Sequence, residues 1–164
     1  MIKLIILDVD GTLTKGGILI GNSGEEFKEF NVKDGYMIAS ARKKCGKIFA
    51  IITGRNSKIV SIRAKELGIT HLYQGIDDKI VIYEQLKKEL NITDEETAYI
   101  GDDLNDFEVM KRVGLVGAPA DACREILETA DFVSSKNGGE GAVREFLEYI
   151  LKKENSWSKI VQSN

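Results

Sequence analysis

Short apolar runs alternate with segments of helical periodicity along most of the chain. Six of these runs predict β-strands, and in order they are KLIIL, KIFAII, THLYQ, TAYIG, GLVGA and ADFVS. Helical spacing predicts helices near residues 35–45, 57–67, 79–90, 104–112, 121–129 and 141–153. Because repeated strand–helix alternation is typical of a parallel sheet with helices on both faces, the sequence predicts an α/β fold with a doubly wound, mostly parallel sheet.

One stretch breaks this alternation directly after the first strand. GGILIGNSGEEFKEFN carries an apolar run, a cluster of turn residues and then an alternating segment, which predicts a β-hairpin over about residues 16–30. The length of 164 residues suits one domain, and we take 1–153 as that domain and 154–164 as a C-terminal tail. Since the tail is mostly polar but contains Trp157, we expect it either to fray or to dock.

Composition argues against several classes of function. The net charge of −3 gives no general attraction to nucleic acid or to an anionic membrane, and no run approaches the ~20 apolar residues of a membrane span. The start of the chain is too short and too acidic for a signal peptide, so we expect a cytoplasmic protein. Cys45 and Cys123 form no metal or redox motif and are expected to be free thiols, and the single histidine, His71, is expected to be structural.

Chemically reactive residues follow the predicted strands, at the edge where open α/β sheets bind ligands. They are Asp8 and Asp10 after the first strand, Thr53, Gly54 and Arg55 after the second, Lys79 at the start of the third helix, and Asp102, Asp103 and Asp106 after the fourth strand. Each piece alone is an ordinary turn or helix cap. Their occurrence together, at corresponding strand ends, predicts one functional site.

Acids from two separate strands repel each other unless a cation lies between them, and hard oxygen ligands suit Mg²⁺. A magnesium ion between Asp8 and Asp102 would screen these charges and would also hold a phosphate oxygen. The other phosphate oxygens would be bound by Thr53, the backbone amides beside it at Gly54, and Lys79.

The close spacing of Asp8 and Asp10 has a chemical interpretation. Phosphorus whose charge is neutralised is open to attack by a carboxylate, which gives an aspartyl-phosphate. Asp8 would make this attack, and Asp10 would protonate the leaving oxygen and later activate water. The sequence therefore predicts a magnesium-dependent phosphotransfer enzyme acting on a small phosphorylated molecule.

Two other classes of protein remain as alternatives. A phosphorylatable receiver domain also has an acidic magnesium pocket, a threonine and a lysine on a doubly wound sheet. Its acid pair follows the first strand and its phosphate-accepting aspartate follows the third, an order that this chain does not share, and it lacks the early hairpin. A binding domain without catalysis is the second alternative, and the presence of Asp8, Asp10, Lys79 and Asp102 argues against it.

Four parts of the sequence resemble, in the same order, the four motifs of the haloacid dehalogenase superfamily of phosphotransferases. They are DVDGTLT, ITGR, Lys79 and GDDLND. The resemblance implies the Rossmann-like fold of that superfamily, with Asp8 as nucleophile and Asp10 as general acid/base. It also implies that Thr53 and Lys79 bind the phosphate. The implied magnesium ligands are a carboxylate oxygen of Asp8, the main-chain carbonyl of Asp10, and Asp102.

Three longer stretches resemble a narrower group, the capless phosphatases that act on 3-deoxy-D-manno-octulosonate 8-phosphate in lipopolysaccharide synthesis. They are GNSGEEFKEFNVKDGY, ITGRNSKIVSIRAKELGITHLYQG and GGEGAVRE. The resemblance implies this substrate, with a nine-carbon sugar acid 9-phosphate or a broad range as the alternative. Lys33, Met37 and Glu140 depart from the pattern, which usually has arginine, glycine and arginine there. The implied sugar contacts are Asn31, Val32, Lys33, Asp34 and Gly35, and the implied phosphate or carboxylate contacts are Arg55 and Arg63.

The spacing of Arg55 and Arg63 supports this assignment. They lie eight residues apart, which places both on similar faces of a helix that follows ITGR.

The intervals from Asp8 to Thr53 and from Thr53 to Lys79 leave no room for a separate cap domain. Phosphoryl-transfer sites are normally closed by a lid, so another element must cover the substrate. The hairpin has an apolar face that would be costly to expose, formed by Ile18, Ile20, Phe27 and Phe30. Pairing of hairpins between subunits would bury this face, so we expect a homotetramer whose hairpins complete neighbouring sites, and the resemblance implies the same assembly.

Overall fold

Six parallel strands form one sheet in the computed structural model, which describes residues 1–162. The strands are β1 (Leu4–Leu7), β4 (Ile48–Ile52), β5 (His71–Tyr73), β6 (Thr97–Ile100), β7 (Leu115–Ala118) and β8 (Phe132–Val133). Their order in the sheet is β5-β4-β1-β6-β7-β8, and every neighbouring pair is parallel. The predicted parallel α/β sheet is thus confirmed.

The register of the central strands decides where their ends lie. Leu7 of β1 pairs with Ile51 of β4 on one side and with Ile100 of β6 on the other. The residues that follow these three strands therefore emerge at one edge of the sheet. All four residues of β1 and of β6 are buried, as expected for central strands covered on both faces.

Seven helices accompany the sheet within the described residues. They are α1 (Val32–Cys45), α2 (Lys58–Leu67), α3 (Lys79–Leu90), α4 (Phe107–Met110), α5 (Arg124–Thr129), α6 (Ala142–Lys153) and α7 (Ser158–Val161). One apolar core contains residues of α1, α2, α6 and α7, and a second core contains residues of α3, α4 and α5. Because each core packs on its own face, the sheet is doubly wound.

Three helix starts differ from the prediction. Helix α1 begins three residues earlier than expected because the Asn31 side chain caps it, accepting a hydrogen bond from Lys33 N. The helix predicted near 104–112 is a 3₁₀ turn (Leu104–Asp106) followed by the short α4. Helix α5 is also shorter than predicted, since it begins at Arg124.

The predicted hairpin is present as β2 (Leu19–Ile20) and β3 (Glu26–Phe27), which pair antiparallel in a sheet of their own. Leu19, Ile20 and Phe27 are more than half exposed. Phe30, predicted on the same apolar face, instead packs partly buried against the core. The base of the hairpin is therefore fixed to the domain, while its strands project apolar side chains into solvent.

The C-terminal segment docks on the domain as far as it is described. Ile160 of α7 is buried in the core that also contains α1. The Lys152 ammonium lies 4.9 Å from the centre of the Trp157 ring, so this indole packs on its own domain. The last two residues of the predicted tail, 163 and 164, lie outside the described part. No helix among residues 1–162 combines the length and apolar character that crossing a membrane requires.

Candidate active site

The predicted strand ends meet around a cleft of about 350 Å³ at the edge of the sheet. Seven of the predicted residues line it, namely Asp8, Asp10, Thr53, Gly54, Arg55, Asp102 and Asp103. Leu104 and Asn105 complete its wall. The structure thus brings together the acids, the hydroxyl and one of the cations that the sequence placed at separate strand ends.

Three acids converge on one side of this cleft. Carboxylate oxygens of Asp8, Asp102 and Asp106 all lie within 4.8 Å of one another. Burial, reinforced by the charge of Asp106, holds the pKa of Asp8 well above its usual range, and the same two causes raise the pKa of Asp102 to about 6. A divalent cation between these oxygens would remove the cost of ionising them, and the all-oxygen donor set fits Mg²⁺.

Asp106 serves as a support for this cluster. Its Oδ1 accepts hydrogen bonds from Lys79 Nζ at 2.7 Å and from the Tyr99 hydroxyl at 2.6 Å. Its Oδ2 accepts from the backbone N–H groups of Asp102 and Asp103. Since both oxygens are already engaged, the side chains left to hold the metal are those of Asp8 and Asp102. The role of Asp106 was missed from the sequence, although GDDLND places it one helical turn after Asp102.

Lys79 lies behind Asp8, away from the open part of the cleft. Its Nζ donates a hydrogen bond of 2.6 Å to Asp8 Oδ1, and only 1% of its side chain is exposed. Burial alone would lower the pKa of Lys79, but the carboxylates of Asp8 and Asp106 outweigh it and raise that pKa overall. The ammonium group therefore stays charged and holds the predicted nucleophile in place. Its predicted contact with phosphate stays a prediction.

The DGT turn after β1 allows Asp102 to approach. Gly11 has a φ of +92°, and a Cβ at this position would overlap the Asp102 carboxylate. Thr12 Oγ1 donates a hydrogen bond of 3.2 Å to Asp102 Oδ1. The glycine is thus required both for its left-handed backbone and for the space it leaves.

Asp10 faces the cleft beside the base of the hairpin. Lys28 Nζ donates a hydrogen bond of 2.5 Å to Asp10 Oδ1. Glu26, on the same face of the hairpin, accepts from Arg55 Nη2 at 3.1 Å and lies 3.4 Å from Lys28 Nζ. Lys28 was not among the residues predicted from the sequence. The signal available was the alternation in EFKEFN, which puts Glu26 and Lys28 on the face opposite Phe27.

A second group of predicted substrate contacts lies outside this cleft. Asn31, Asp34, Gly35 and Arg63 surround a separate cavity of about 10 Å³, which has room for about one water molecule. Asp34 Oδ1 accepts from Arg144 N at 2.8 Å and so anchors the start of α6. Gly35 makes room for Arg63, because a Cβ there would overlap the guanidinium.

These residues are held by the fold in this structure, and their contact with the substrate stays a prediction. Asp34 is 1% exposed, and Arg63 packs over Phe30 and pairs with Glu66, so their contacts are with the fold. Val32 and Lys33 are exposed at the start of α1. Arg55 also does not share a helix face with Arg63, because α2 begins only at Lys58 and Arg55 lies in the preceding loop.

The chain is similar to known enzymes over most of its length. A profile of the haloacid dehalogenase-like hydrolases matches residues 22–147. The 3-deoxy-D-manno-octulosonate 8-phosphate phosphatase KdsC of Escherichia coli (strain K12) is 50% identical over 150 residues, which are 92% of this chain and 79% of that protein.

Solved structures of phosphatases are also similar to this chain over most of its length. The 3-deoxy-D-manno-octulosonate 8-phosphate phosphatase of Yersinia pestis superposes with a TM-score of 0.92 at 49% identity, over 94% of this chain and 83% of that one. The phosphatase of the same name from Moraxella catarrhalis, in complex with a magnesium ion, a phosphate ion and a KDO molecule, gives 0.94 at 43% identity, over 98% and 91%. With its parallel sheet, its converging acids and these matches, the chain belongs to the haloacid dehalogenase-like hydrolases.

Proposed function

We propose that this chain is a magnesium-dependent phosphatase that hydrolyses 3-deoxy-D-manno-octulosonate 8-phosphate to the free sugar acid (KDO) and phosphate, a step of lipopolysaccharide synthesis. The observation that carries the chemistry is the buried Asp8, held by Lys79 and close to Asp102, with Asp10 beside it at the cleft. The substrate is supported by relatives of about 50% identity that carry the name of this activity.

In the first half of the reaction, a carboxylate oxygen of Asp8 forms a bond to phosphorus while the bond from phosphorus to the sugar oxygen breaks. Asp10 gives its proton to that leaving oxygen, and the product on the enzyme is an aspartyl-phosphate. In the second half, Asp10 takes a proton from a water molecule whose oxygen bonds to phosphorus. The bond from phosphorus to the Asp8 oxygen breaks at the same time, so phosphate leaves and the carboxylate of Asp8 is restored.

The remaining cleft residues hold the phosphate and the metal. Thr53 is buried at the end of β4, with the backbone of Gly54 beside it, so both can donate hydrogen bonds to phosphate oxygens. Asp8, Asp102 and the main-chain carbonyl of Asp10 would hold magnesium. When bound, the ion supplies positive charge that neutralises the phosphate and the clustered acids.

In this proposal the sugar lies at the rim of the cleft, beside Arg55. Arg55 lies at the rim of the cleft, where its guanidinium could exchange Glu26 for the carboxylate of a sugar acid. Two departures from the subfamily pattern lie away from the cleft, since Met37 is buried in the core and Glu140 pairs with Lys15. These two residues therefore give no reason to prefer a nine-carbon sugar acid, which remains the alternative substrate.

The proposal includes assembly into a homotetramer in the cytoplasm. The exposed apolar residues of the hairpin, Ile18, Leu19, Ile20 and Phe27, favour burial against another subunit. The helices and strands of residues 1–162 form the sheet layers and the hairpin, with no separate cap over the cleft. Cys45 and Cys123 are free thiols, which suits a reducing compartment.

Steady-state kinetics on a panel of phosphorylated sugar acids test the proposed substrate. We expect kcat/KM for 3-deoxy-D-manno-octulosonate 8-phosphate to exceed that for nine-carbon sugar acid 9-phosphates by about tenfold or more, a difference of ~1.4 kcal/mol or more in transition-state binding. A higher value for the nine-carbon acids would favour the alternative substrate. Failure to hydrolyse any phosphomonoester in the presence of Mg²⁺ would refute the enzymatic proposal itself.

A further inference from the structure

The side chain of Lys28 is buried beside Asp10, although the residue lies on the hairpin. Its Nζ is 2.5 Å from Asp10 Oδ1, and only 1% of its side chain is exposed. The neighbouring residues Phe27 and Glu29 are exposed. An ammonium group loses solvation when it is buried, and this loss must be offset by a partner charge. Asp10, whose side chain is 22% exposed at the cleft, is that partner.

The position of Lys28 is fixed independently of the hairpin tip. Three residues later, Asn31 caps α1 and also donates a hydrogen bond through Nδ2 to Gly139 O at 3.3 Å. Phe30, between them, packs against the core. The return strand of the hairpin is therefore anchored to the domain where it passes Asp10.

Glu26 extends this contact into a row of alternating charges. Its Oε1 lies 3.4 Å from Lys28 Nζ and 3.1 Å from Arg55 Nη2. The order along the rim is thus Asp10, Lys28, Glu26 and Arg55. Because Glu26 balances part of the positive charge, Lys28 is held from two sides and cannot swing freely toward solvent.

We infer that Lys28 is a positioning residue for Asp10 in the proposed phosphatase reaction, on which this inference rests. Lys28 holds Oδ1 and fixes the side-chain torsion of Asp10, so that Oδ2 is presented to the leaving oxygen. Asp10 donates its proton from Oδ2 as the bond from phosphorus to the sugar oxygen breaks, and accepts a proton there from water in the second half-reaction. A carboxylate without this restraint would sample other rotamers, and a misplacement of ~1 Å can cost up to ~10²-fold in rate.

Two other roles for Lys28 make different predictions. It could bind the sugar acid directly through its charge, or it could simply stabilise the hairpin. A direct contact acts on the substrate even when Asp10 cannot transfer protons. If the role of Lys28 is purely structural, its substitution lowers kcat/KM for every substrate by the same factor.

The test compares leaving groups. p-Nitrophenolate leaves without being protonated, whereas the alkoxide of the sugar needs a proton, so only the latter depends on a general acid in the first half-reaction. The parameter kcat/KM reports that half-reaction. We expect Lys28→Met and Lys28→Gln each to lower kcat/KM for 3-deoxy-D-manno-octulosonate 8-phosphate about tenfold or more, and for p-nitrophenyl phosphate by less than about threefold. Lys28→Arg, which keeps the charge, should recover part of the loss.

A double-mutant cycle separates positioning from substrate contact. If Lys28 acts through Asp10, adding Lys28→Met to Asp10→Asn should change kcat/KM for the sugar phosphate by less than about twofold. Lys43→Met, at an exposed position of α1, is the control for loss of a lysine charge. Thermal unfolding of each variant verifies that the protein compared is folded.

Three outcomes would overturn the inference. A full tenfold loss from Lys28→Met in the Asp10→Asn background would assign Lys28 to the substrate. An equal loss for both leaving groups in the single variants would assign it to the fold. If Asp10→Asn itself failed to discriminate between the leaving groups, the proposed role of Asp10 would fail together with the inference, which distinguishes that failure from the first two.

Discussion

Lys79 Nζ lies 2.6 Å from Asp8 Oδ1, although 71 positions separate the two residues in the sequence. The same ammonium lies 2.7 Å from Asp106 Oδ1, and Asp106 Oδ2 accepts from Asp102 N. This buried network joins the end of β1, the start of α3 and the loop after β6. The proposed nucleophile and the proposed metal ligand are therefore held in one rigid unit before any substrate binds.

Removal of the Lys79 charge should damage stability and activity together. Lys79→Met leaves the carboxylates of Asp8 and Asp106 buried without a cation, and loss of one partner of a buried pair typically costs about 3–5 kcal/mol. The midpoint of denaturant unfolding should therefore move to a clearly lower denaturant concentration, and kcat should fall at saturating Mg²⁺. Lys88→Met, at an exposed position of the same helix, is the matched control and should resemble the wild type. Wild-type kcat in Lys79→Met would contradict the role given to this network.

Gly11→Ala should weaken magnesium binding. A Cβ at this position overlaps the Asp102 carboxylate, so the carboxylate must move away from Asp8. Disturbance of groups that orient metal ligands typically costs about 10–100-fold in metal affinity, and we expect a loss in this range by titration of activity with Mg²⁺. Gly46→Ala is the control, because Gly46 also has positive φ but faces open space. If Gly11→Ala and Gly46→Ala weakened Mg²⁺ binding equally, the loss of affinity would come from backbone strain and not from the contact with Asp102.

Much of this site follows from the sequence because parallel strands place their carboxyl ends at one edge. The apolar runs before Asp8, Thr53 and Asp102 determine three neighbouring central strands, so their reactive residues meet. The contact of Lys28 with Asp10 depends instead on how the hairpin docks, which no local pattern specifies. The same holds for Asp34, whose burial results from the packing of α6 on α1.

The start of α2 shows a different limit of sequence reasoning. Periodicity extends the helix back toward ITGR, but the backbone of Ser57 is extended and the helix begins at Lys58. Arg55 is therefore free to follow the rim of the cleft rather than the helix surface. Periodicity predicts that a helix exists more reliably than it predicts the first residue of that helix. Here the position of the first residue decides which arginine reaches the cleft.

Asp34 should make stability depend on pH. Burial raises its pKa to about 6 in the folded state, against the opposing hydrogen bond from Arg144 N–H. Between about pH 4 and pH 6 the folded protein retains a proton that the unfolded chain has released, so the free energy of unfolding falls as pH rises through this window. A pKa shift of this size corresponds to a total decrease of about 3 kcal/mol in the free energy of unfolding across the window.

Asp34→Asn isolates this effect. The amide oxygen can still accept from Arg144 N, and the variant carries no charge to be desolvated at neutral pH. Denaturant unfolding at several pH values should show the variant gaining stability relative to the wild type from pH 4 to pH 7. Two curves that remain parallel over this range would mean that Asp34 does not titrate in this window.

The hairpin should control both assembly and activity. Phe27→Asp places a charge among exposed apolar residues that we propose to be buried between subunits. Light scattering should show a tetramer for the wild type and smaller species for Phe27→Asp, with a lower kcat/KM for the sugar phosphate. Val81→Asp, at an exposed position of α3, is a control for an added charge on an apolar side chain. A monomeric wild type with full activity would contradict the proposed assembly.

The covalent intermediate on Asp8 is the central claim, and trapping it is the most direct test. Wild-type enzyme is mixed with 3-deoxy-D-manno-octulosonate 8-phosphate and Mg²⁺, quenched in acid, and treated with borohydride, which reduces an aspartyl-phosphate to homoserine. Mass spectrometry of the digested protein then locates the reduced residue, with Asp8→Asn as the unreactive control. The account predicts homoserine at position 8 in the wild type alone; turnover accompanied by reduction at another aspartate, or by none, would contradict it.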